Sequence, residues 1–406
     1  MKTIVLGLGV SGKAAAAFLL SRGVSVIGVD KRAGEILHTP EIQGLTLSNE
    51  DISLSQVEQI ILSPGIPLSH PLIIQAQRQN IEVIGEVEFA VRHIRNRCVG
   101  ITGSNGKTTT TLLTTHVLNS AGIRALALGN VGTSLSSYLL YANPEDVLIV
   151  ELSSFQLETL KTRCLDFALI LNITENHLDR YHSMKEYTDA KLSIQSCLKE
   201  NGILFVSRQV ASLCRGTIFD DGEKQQNVQA AFAICKQFGI TEEKFCEALK
   251  SFSLPPHRIE RVVEIDGVAF YNDSKSSNIE SVMYAVRQFA GPLILIVGGT
   301  DKGSSYLPWI QCFKGKVKHV VAYGMARDKI EREIGFEIPC TKVGPFAEAV
   351  NIAAAMGQKK DTVLLSPGCS SYDQFLNFER RGDAFRELIW QRKNGSKKNN
   401  PDRGDH

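Results

Sequence analysis

The stretch Gly100-Ile-Thr-Gly-Ser-Asn-Gly-Lys-Thr-Thr-Thr-Thr111 decides the organisation of this chain. Apolar residues Cys98–Ile101 predict a strand, Gly103–Gly106 predict a turn, and Lys107 begins a helical pattern that runs to about Asn119. A helix that begins directly after a glycine-rich turn points its N–H groups and its dipole at one place, which favours an anion. The lysine adds positive charge, and the threonine after it supplies a hydroxyl for Mg²⁺. The stretch therefore predicts a site for a nucleoside triphosphate.

The loop departs from the usual phosphate-loop pattern at one position. That pattern has a glycine five residues before Gly106, where this chain has Ile101, so the motif is the tighter Gly-x-x-Gly-Lys-Thr. An ordinary glycine-rich turn is the alternative interpretation. It does not explain Lys107 at the first helical position, where a positive charge opposes the helix dipole. We therefore retain the phosphate site.

The composition is that of a globular protein with several domains. The length of 406 residues predicts two or three domains, and the hydrophobic fraction of 43% and charged fraction of 22% are ordinary. With 45 basic and 43 acidic residues the net charge is +2, so no bias towards nucleic acid is expected. The start Met1–Leu6 runs into a glycine-rich turn, and no apolar run of about 18 residues exists, so we expect neither a signal peptide nor a membrane span.

The nine cysteines are scattered and form no Cys-x-x-Cys pair. This usage fits a reducing compartment and argues against a disulfide framework or a zinc site. We therefore expect a cytoplasmic protein.

The N-terminal segment has the pattern of a dinucleotide-binding turn. Strand Lys2–Leu6 precedes Gly7–Gly12, and Asp30 ends the next predicted strand. Such glycines allow close approach of a diphosphate, and the acid accepts a ribose hydroxyl. The alternative is close backbone packing alone. The kind of nucleotide stays open, because Lys31 and Arg32 add positive charge that NAD would not need.

Two further strands of the central segment end in polar residues. Strand Val147–Val150 is followed by Glu151, which predicts a Mg²⁺-holding carboxylate, with helix capping as the alternative. Strand Phe167–Leu171 is followed by His177, a candidate metal ligand or acid–base group. Lys191, in a helix predicted over 184–198, has the sequence context of a solvated lysine.

The C-terminal segment follows the breaker pair Pro255-Pro256, which predicts an interdomain hinge. Its predicted strands end in polar turns, which places their side chains at one edge of a parallel sheet. A solvated edge is one interpretation, and a site for an anionic substrate is the other. The side chains concerned are Asp273, Lys275, Lys302 and Ser371.

Six ordered motifs in this chain resemble the Mur ligase family across nearly its whole length. They are Gly103–Thr108, Glu151–Glu158, Asn172–Tyr181, Pro256–Arg258, Asn272–Lys275 and Ser366–Phe375. The resemblance implies an α/β protein of three doubly wound, Rossmann-like domains, of which the central one is a P-loop ATPase-type domain. The implied ranges are 1–92 for a UDP-precursor domain, 93–253 for the ATP domain, 254–392 for the amino-acid domain and 393–406 for a disordered tail.

The stretches Ser153–Glu158 and Asp373–Phe375 resemble the D-glutamate-adding branch of this family. The resemblance implies an ATP-dependent ligase that joins D-glutamate to UDP-N-acetylmuramoyl-L-alanine in peptidoglycan precursor synthesis, through an acyl phosphate and a tetrahedral intermediate. Such chemistry needs little from a protein nucleophile, so positioning and charge neutralisation dominate. We expect a monomer with no nucleic-acid or membrane partner.

The resemblance also assigns roles to individual residues, of which the catalytic ones are Lys107, His177, Lys191 and Lys275. Two Mg²⁺ ions are implied at Thr108, Glu151, His177 and Lys191, with Lys191 carbamylated by CO₂. The UDP substrate is expected at Val10, Ser11, Lys31, Arg32, Gly65, Asn130 and His177, and D-glutamate at Lys302, Ser371 and Phe378. ATP is expected at Gly103, Ser104, Asn105, Gly106, Lys107, Thr108, Thr109, Thr110, Asn227, Arg258, Asp273 and Lys275.

One stretch departs from the family pattern. The family has His-Asn-x-x-Asn before the last helices of the central domain, whereas this chain has Glu223-Lys-Gln-Gln-Asn227. Only Asn227 of this group is present, and the segment before it is about 30 residues shorter than in the family.

Other function classes remain as alternatives. An NAD-dependent oxidoreductase would use the first glycine turn but leaves the phosphate loop unexplained. A P-loop regulatory ATPase would bind nucleotide without forming an amide. Another Mur-type ligase, or the ligase that adds glutamate to folate, would use the same last two domains.

Overall fold

The computed structural model describes residues 2–31, 40–49, 52–176, 180–219 and 226–398. The chain forms two compact units, Met1–Ile173 with Lys185–Phe252 and Thr174–Met184 with Ser253–His406. Each helix in the described ranges is too short or too polar to cross a membrane. All nine cysteines lie in these ranges, and all carry free thiols.

The first sheet is parallel and five-stranded. Its elements are β1 (Lys2–Leu6), α1 (Val10–Ser21), β2 (Ser25–Val29), β3 (Thr46–Ser48), β4 (Val57–Leu62), α2 (Pro71–Arg78) and β5 (Glu82–Gly85), with a 3-10 turn at Pro40–Ile42. The strand order is β3-β2-β1-β4-β5. β1 is central and its interior is buried on both faces, as expected for a parallel strand covered by helices on each side.

A short buried helix, α3 (Glu86–Val91), follows this sheet. Its two acids are buried because backbone N–H groups of the next domain satisfy them. Glu88 accepts the amides of Lys161 and Thr162 at 2.8 and 2.9 Å. Burial alone would raise the pKa of Glu88, but these hydrogen bonds outweigh it and the pKa is lowered. At Glu86 burial outweighs the single amide of Ser136, and the pKa is raised.

The second sheet, in the same unit, has six parallel strands. Its elements are β6 (Arg97–Thr102), α4 (Lys107–Ser120), β7 (Ala125–Gly129), α5 (Leu135–Tyr138), β8 (Val147–Glu151), α6 (Ser154–Leu157), β9 (Leu165–Ile170), α7 (Met184–Leu192), β10 (Leu198–Val206), α8 (Arg208–Ala211), β11 (Thr217–Ile218), α9 (Gln226–Lys236) and α10 (Glu242–Lys250). The order is β11-β10-β9-β6-β8-β7. The helix predicted over 184–198 ends at Leu192, and a 3-10 turn, Ser193–Cys197, leads into β10.

The third sheet has six strands, of which only the edge strand is antiparallel. Its elements are β12 (Glu260–Ile265), β13 (Val268–Asn272), α11 (Ile279–Arg287), β14 (Leu293–Gly298), α12 (Pro308–Phe313), β15 (Val317–Tyr323), α13 (Arg327–Ile334), β16 (Cys340–Lys342), α14 (Phe346–Met356), β17 (Thr362–Gly368) and α15 (Phe378–Lys398). The order is β12-β13-β17-β14-β15-β16, and β12 pairs with β13 as a hairpin.

The predicted class of three doubly wound α/β domains is confirmed. The predicted boundaries at residues 92, 253 and 392 stay predictions. The last helix continues to Lys398, past the predicted end of the third domain, and residues 399–406 lie outside the described part.

Replacement of Glu88 by Ala is predicted to destabilise the first unit by roughly 3 kcal/mol, because two part-buried amides and Arg92 would lose their acceptor. Thermal unfolding by circular dichroism measures the change. The matched control is Glu82→Ala, since Glu82 also pairs with Arg92 at 2.9 Å but is half exposed. Equal melting temperatures of the two variants would contradict the role given to Glu88.

Candidate active site

The phosphate loop lies between β6 and α4, as predicted. Gly106 precedes α4 with φ +82°, in the region that favours glycine, and brings no capping side chain to the helix. A Cβ atom there would lie 2.2 Å from Oδ1 of Asn227, so the loop has no room for a larger residue. The loop thus presents the N-terminus of a 14-residue helix, which favours an anion.

Asn172, at the end of β9, fixes the back of this loop. Its Oδ1 accepts the amide of Asn105 at 2.8 Å, and its carbonyl oxygen accepts the amide of Ser104 at 2.9 Å. Its Nδ2 donates to the carbonyl oxygen of Asn105 and to Oε1 of Gln226. The sequence did not indicate these roles of Asn172 and Gln226, because they depend on contacts between distant strand ends.

Two lysines meet at one carbonyl group of the loop. Nζ of Lys107 and Nζ of Lys191 donate to the carbonyl oxygen of Gly103 at 2.8 and 2.9 Å. Lys191 is only 1% exposed, so the prediction of a solvated lysine from its local sequence is wrong. Burial first, and then the charge of Lys107, lower its pKa well below the usual value, while Glu151 opposes the shift. The environment of Lys191 therefore disfavours the charged form of its amine.

Glu151 ends β8 and is 2% exposed. Its Oε1 accepts Nδ2 of Asn130 at 2.8 Å, whereas its buried Oε2 finds no hydrogen-bond partner among the described residues. A buried carboxylate oxygen in this state is costly unless a cation satisfies it. Together with the buried hydroxyl-bearing Thr108 at the start of α4, the residues fit Mg²⁺. His177, the other predicted ligand, lies outside the described residues.

The N-terminal turn of the first sheet is tightly packed. A Cβ atom on Gly12 would lie 1.9 Å from the carbonyl oxygen of Gly7, and Ser63 Oγ donates to that same oxygen at 2.6 Å. Asp30 accepts the amide of Leu8 at 2.8 Å, so the acid expected at a ribose also holds the turn. Gly12 is therefore required by packing, which was the alternative interpretation, and Gly7 by its φ of +87°, whereas a Cβ atom on Gly9 would meet nothing within 4 Å.

Four of the predicted UDP residues lie at the carboxyl edge of this sheet, whereas Asn130 follows β7 of the second sheet. Val10 and Ser11 are in the first turn of α1, Lys31 follows β2 and Gly65 follows β4. Val10, Lys31 and Gly65 are exposed and Ser11 is half-buried, so their surfaces are open to a ligand. Arg32 lies outside the described residues.

In the second unit, Asp273 and Lys275 occupy the turn after β13. Oδ2 of Asp273 accepts Ser366 Oγ at 2.8 Å, and Oδ1 accepts the amide of Ile259 at 3.2 Å. Burial raises the pKa of Asp273 to about 6, against the lowering effect of these hydrogen bonds. Nζ of Lys275 lies 3.9 Å from the centre of the Phe378 ring, so two predicted site residues are in direct contact.

The turns that carry Lys302 and Ser371 are joined by their backbones. Thr300 and Ser370 exchange both N–H···O bonds, at 2.9 and 3.2 Å. Nζ of Lys302 donates to Ser277 Oγ at 3.4 Å. The structure thereby joins the turns of Lys302 and Ser371 and places Ser277 beside Lys302, whereas Phe378 contacts Lys275. No local sequence pattern had indicated Ser277.

Arg381, a fully buried cation in α15, links the two turns of this unit. Its guanidinium donates to Ser274 Oγ and to the carbonyl oxygen of Ser274 at 2.9 and 2.8 Å. It also donates to the carbonyl oxygen of Cys369 at 3.1 Å. No local pattern indicated this residue, because the run Glu379–Gly382 has the composition of a solvated helix face.

Comparisons with known proteins agree with this geometry. The Mur ligase MurD-like N-terminal domain matches residues 1–85, the Mur ligase middle domain matches 101–263, and the Mur ligase glutamate ligase domain matches 257–369. The UDP-N-acetylmuramoylalanine–D-glutamate ligase of Protochlamydia amoebophila is 41% identical, over 96% of this chain and 97% of that protein. The chain belongs to the Mur ligase family.

Other Mur ligases agree in sequence and in fold. The ligase of the same name from Chlamydia felis is 37% identical over 96% of this chain and 97% of its own length. The MurF ligase of Thermotoga maritima in complex with ADP covers 83% of this chain and 90% of its own, with a TM-score of 0.60 and 18% identity. UDP-N-acetylmuramate–alanine ligase MurC of Thermotoga maritima covers 97% and 100%, with a TM-score of 0.58 and 16% identity. The resemblance inferred from the motifs is confirmed.

The raised pKa of Asp273 predicts a pH-dependent stability. Its pKa rises from 3.8 to about 6 on folding, so the stabilisation is present below pH 3.8 and is lost as pH rises through 6. Between pH 4.5 and 7 the melting temperature of the wild type should fall by roughly 4 °C relative to Asp273→Asn, with a plateau above pH 6. The control is Asp266→Asn, an exposed acid of the same domain, whose offset from the wild type should stay constant. If the difference in melting temperature between the wild type and Asp273→Asn also stays constant over this pH range, the raised pKa of Asp273 is contradicted.

Proposed function

We infer that this chain is the ATP-dependent ligase that adds D-glutamate to UDP-N-acetylmuramoyl-L-alanine in peptidoglycan precursor synthesis. The observation that supports this function is that Lys107 and Lys191 both donate to the carbonyl oxygen of Gly103, beside the N-terminus of α4. The relatives that match nearly the full length of the chain are named as ligases of this kind. The reaction consumes ATP with Mg²⁺. Cationic side chains at the phosphate loop favour a triphosphate and the phosphoryl group that leaves it.

The chemistry follows from the weakness of a carboxylate as an electrophile. We propose that a carboxylate oxygen of the UDP precursor attacks the γ-phosphorus of ATP, which releases ADP and gives an acyl phosphate. The amine of D-glutamate then attacks the acyl carbon, and the tetrahedral intermediate collapses to the amide and inorganic phosphate. The described residues supply charge and position for these steps, and no protein nucleophile is required.

We propose the following division of roles among the residues. Lys107 neutralises the β- and γ-phosphates, and Arg258, Asp273 and Lys275 act on the ATP side in the third domain. Thr108 and Glu151 would hold one Mg²⁺, and His177 with Lys191 a second. When bound, Mg²⁺ lowers the charge of the phosphates. D-glutamate would be held by Lys302, Ser371 and Phe378, and the UDP group by Val10, Ser11, Lys31, Arg32, Gly65 and Asn130.

We further propose that Lys191 is carbamylated. Its neutral Nζ has a lone pair that bonds to the carbon of CO₂ while one N–H proton leaves to solvent, so the side chain changes from neutral to anionic. Burial lowers the pKa of Lys191 and so favours the neutral form of the amine that this reaction needs. The resulting carboxylate would lie near Lys107 and a metal ion, which compensate its charge.

Lys191→Ala is predicted to lose at least about 100-fold in turnover. Small carboxylic acids such as acetate should restore part of the activity, because they replace the missing anion. Lys185→Ala, on the same helix but exposed, is the matched control and should keep its activity. As a readout independent of turnover, ¹³C NMR in ¹³C-bicarbonate should show a carbamate resonance in the wild type and in Lys185→Ala. A spectrum without it would overturn the carbamate.

The decisive test of the overall function is phosphate release from ATP in the presence of UDP-N-acetylmuramoyl-L-alanine. We expect release with D-glutamate and none above background with L-glutamate, L-alanine or diaminopimelate. Release that does not depend on D-glutamate would support a regulatory ATPase instead. Release with another amino acid would indicate another Mur-type ligase.

We also propose a cytoplasmic, monomeric protein. The nine free thiols support a reducing compartment. Size-exclusion chromatography with light scattering tests the monomer.

A further inference from the structure

An acid, Asp301, stands directly before Lys302 in the turn after β14. Both of its carboxylate oxygens are held. Oδ1 accepts the phenol of Tyr306 at 2.9 Å, and Oδ2 pairs with Nζ of Lys329 at 3.0 Å. The partners come from two elements, since Tyr306 lies at the end of the same turn and Lys329 lies on α13, and Nζ of Lys329 is also 5.3 Å from the centre of the Tyr306 ring.

The two partners are themselves fixed. Tyr306 is fully buried, its hydroxyl is also 3.0 Å from Sγ of Cys369, and its amide donates to Oε2 of Glu333 at 2.7 Å. Nζ of Lys329 donates in addition to the carbonyl oxygen of Ser304 at 2.8 Å. The carboxylate of Asp301 therefore has one defined position, set by α13 and by the turn after β17.

The position of this carboxylate matters electrostatically. D-glutamate brings two carboxylates to a pocket in which Lys302 is the expected cation. An unneutralised acid at the adjacent residue would repel that substrate and compete with it for the ammonium group. Lys329 and Asp301 are both about three-quarters shielded from water, so their mutual attraction is only partly screened.

We propose that Lys329 and Tyr306 are positioning residues for D-glutamate, which act by holding and neutralising Asp301 so that the charge of Lys302 serves the substrate. This inference rests on the proposed function and on the assignment of Lys302 to D-glutamate. On this proposal, Asp301 weakens the binding of D-glutamate only when Lys329 or Tyr306 is removed.

The first test is Lys329→Met, which removes the charge but keeps an apolar stem. The KM for D-glutamate should rise about five- to tenfold, and less at high salt, while the KM for ATP stays within about twofold. Tyr306→Phe, which keeps the ring packing, should raise the same KM by about two- to threefold. Lys342→Met is the matched control. Lys342, on β16, pairs with Asp328 and Glu331 of α13, the helix that also carries Lys329. Its replacement changes the net charge of the protein by the same amount as Lys329→Met. It should leave the KM for D-glutamate unchanged.

The discriminating variant is the double change Lys329→Met with Asp301→Asn. If the freed carboxylate is the cause, its neutralisation should return the KM for D-glutamate to within about twofold of the wild type. If Lys329 acts only by supporting the fold, the second change would add to the defect, and that result would overturn the proposal. Melting temperatures identify any variant that fails to fold. If the Lys329→Met variants do not fold, the KM for D-glutamate of Tyr306→Phe is compared with that of Tyr306→Phe combined with Asp301→Asn, and the same criterion of rescue applies.

The two levels of inference fail differently. A wild-type protein without D-glutamate-dependent turnover would overturn the proposed function and this inference with it. Normal wild-type turnover with an unrescued, folded double variant would overturn this inference alone.

Discussion

Two amines on one carbonyl oxygen set the character of the central site. Lys107 and Lys191 both donate to Gly103, in a place that excludes water from Lys191 almost completely. Burial first, and then the charge of Lys107, lower the pKa of Lys191 well below its usual value. The site accordingly combines two lysines, one of them with a lowered pKa, and the carboxylate of Glu151, whose Oε2 finds no hydrogen-bond partner among the described residues. This arrangement favours the binding of a phosphate group and of a divalent cation.

The same rule explains the buried acids elsewhere in the chain, because what surrounds each carboxylate decides its charge. Glu88 has two amide donors, a hydroxyl and Arg92, and it stays ionised. Glu86 has one amide donor and is pushed towards the neutral form. Asp273 has a hydroxyl and an amide yet is so deeply buried that its pKa reaches about 6. The charge of a buried acid therefore depends on the balance between its burial and the hydrogen bonds that it accepts.

Much of the fold and part of the site could be predicted from the sequence. Apolar runs before glycine turns indicated most of the parallel strands, since these carry strong local signals. The edge strands β7 and β12 were missed because one is a mixed Ala-Leu segment and the other is half-exposed. The burial of Lys191, the clamp by Asn172 and the link through Arg381 depend on contacts between distant segments. No local pattern encodes them, and for Lys191 only the family resemblance indicated a role.

The composition of the chain, with its net charge of +2, says little about where anions bind. Topology decides this, because parallel strands place the turns that follow them at one edge, and each sheet here has lysines in such turns. A lysine at a strand end is useful to a ligand only if nearby acids are otherwise engaged. Asp30 is occupied by the turn amide of Leu8, and Asp301 by Tyr306 and Lys329. Anion binding in this chain thus depends as much on where acids are held as on where lysines occur.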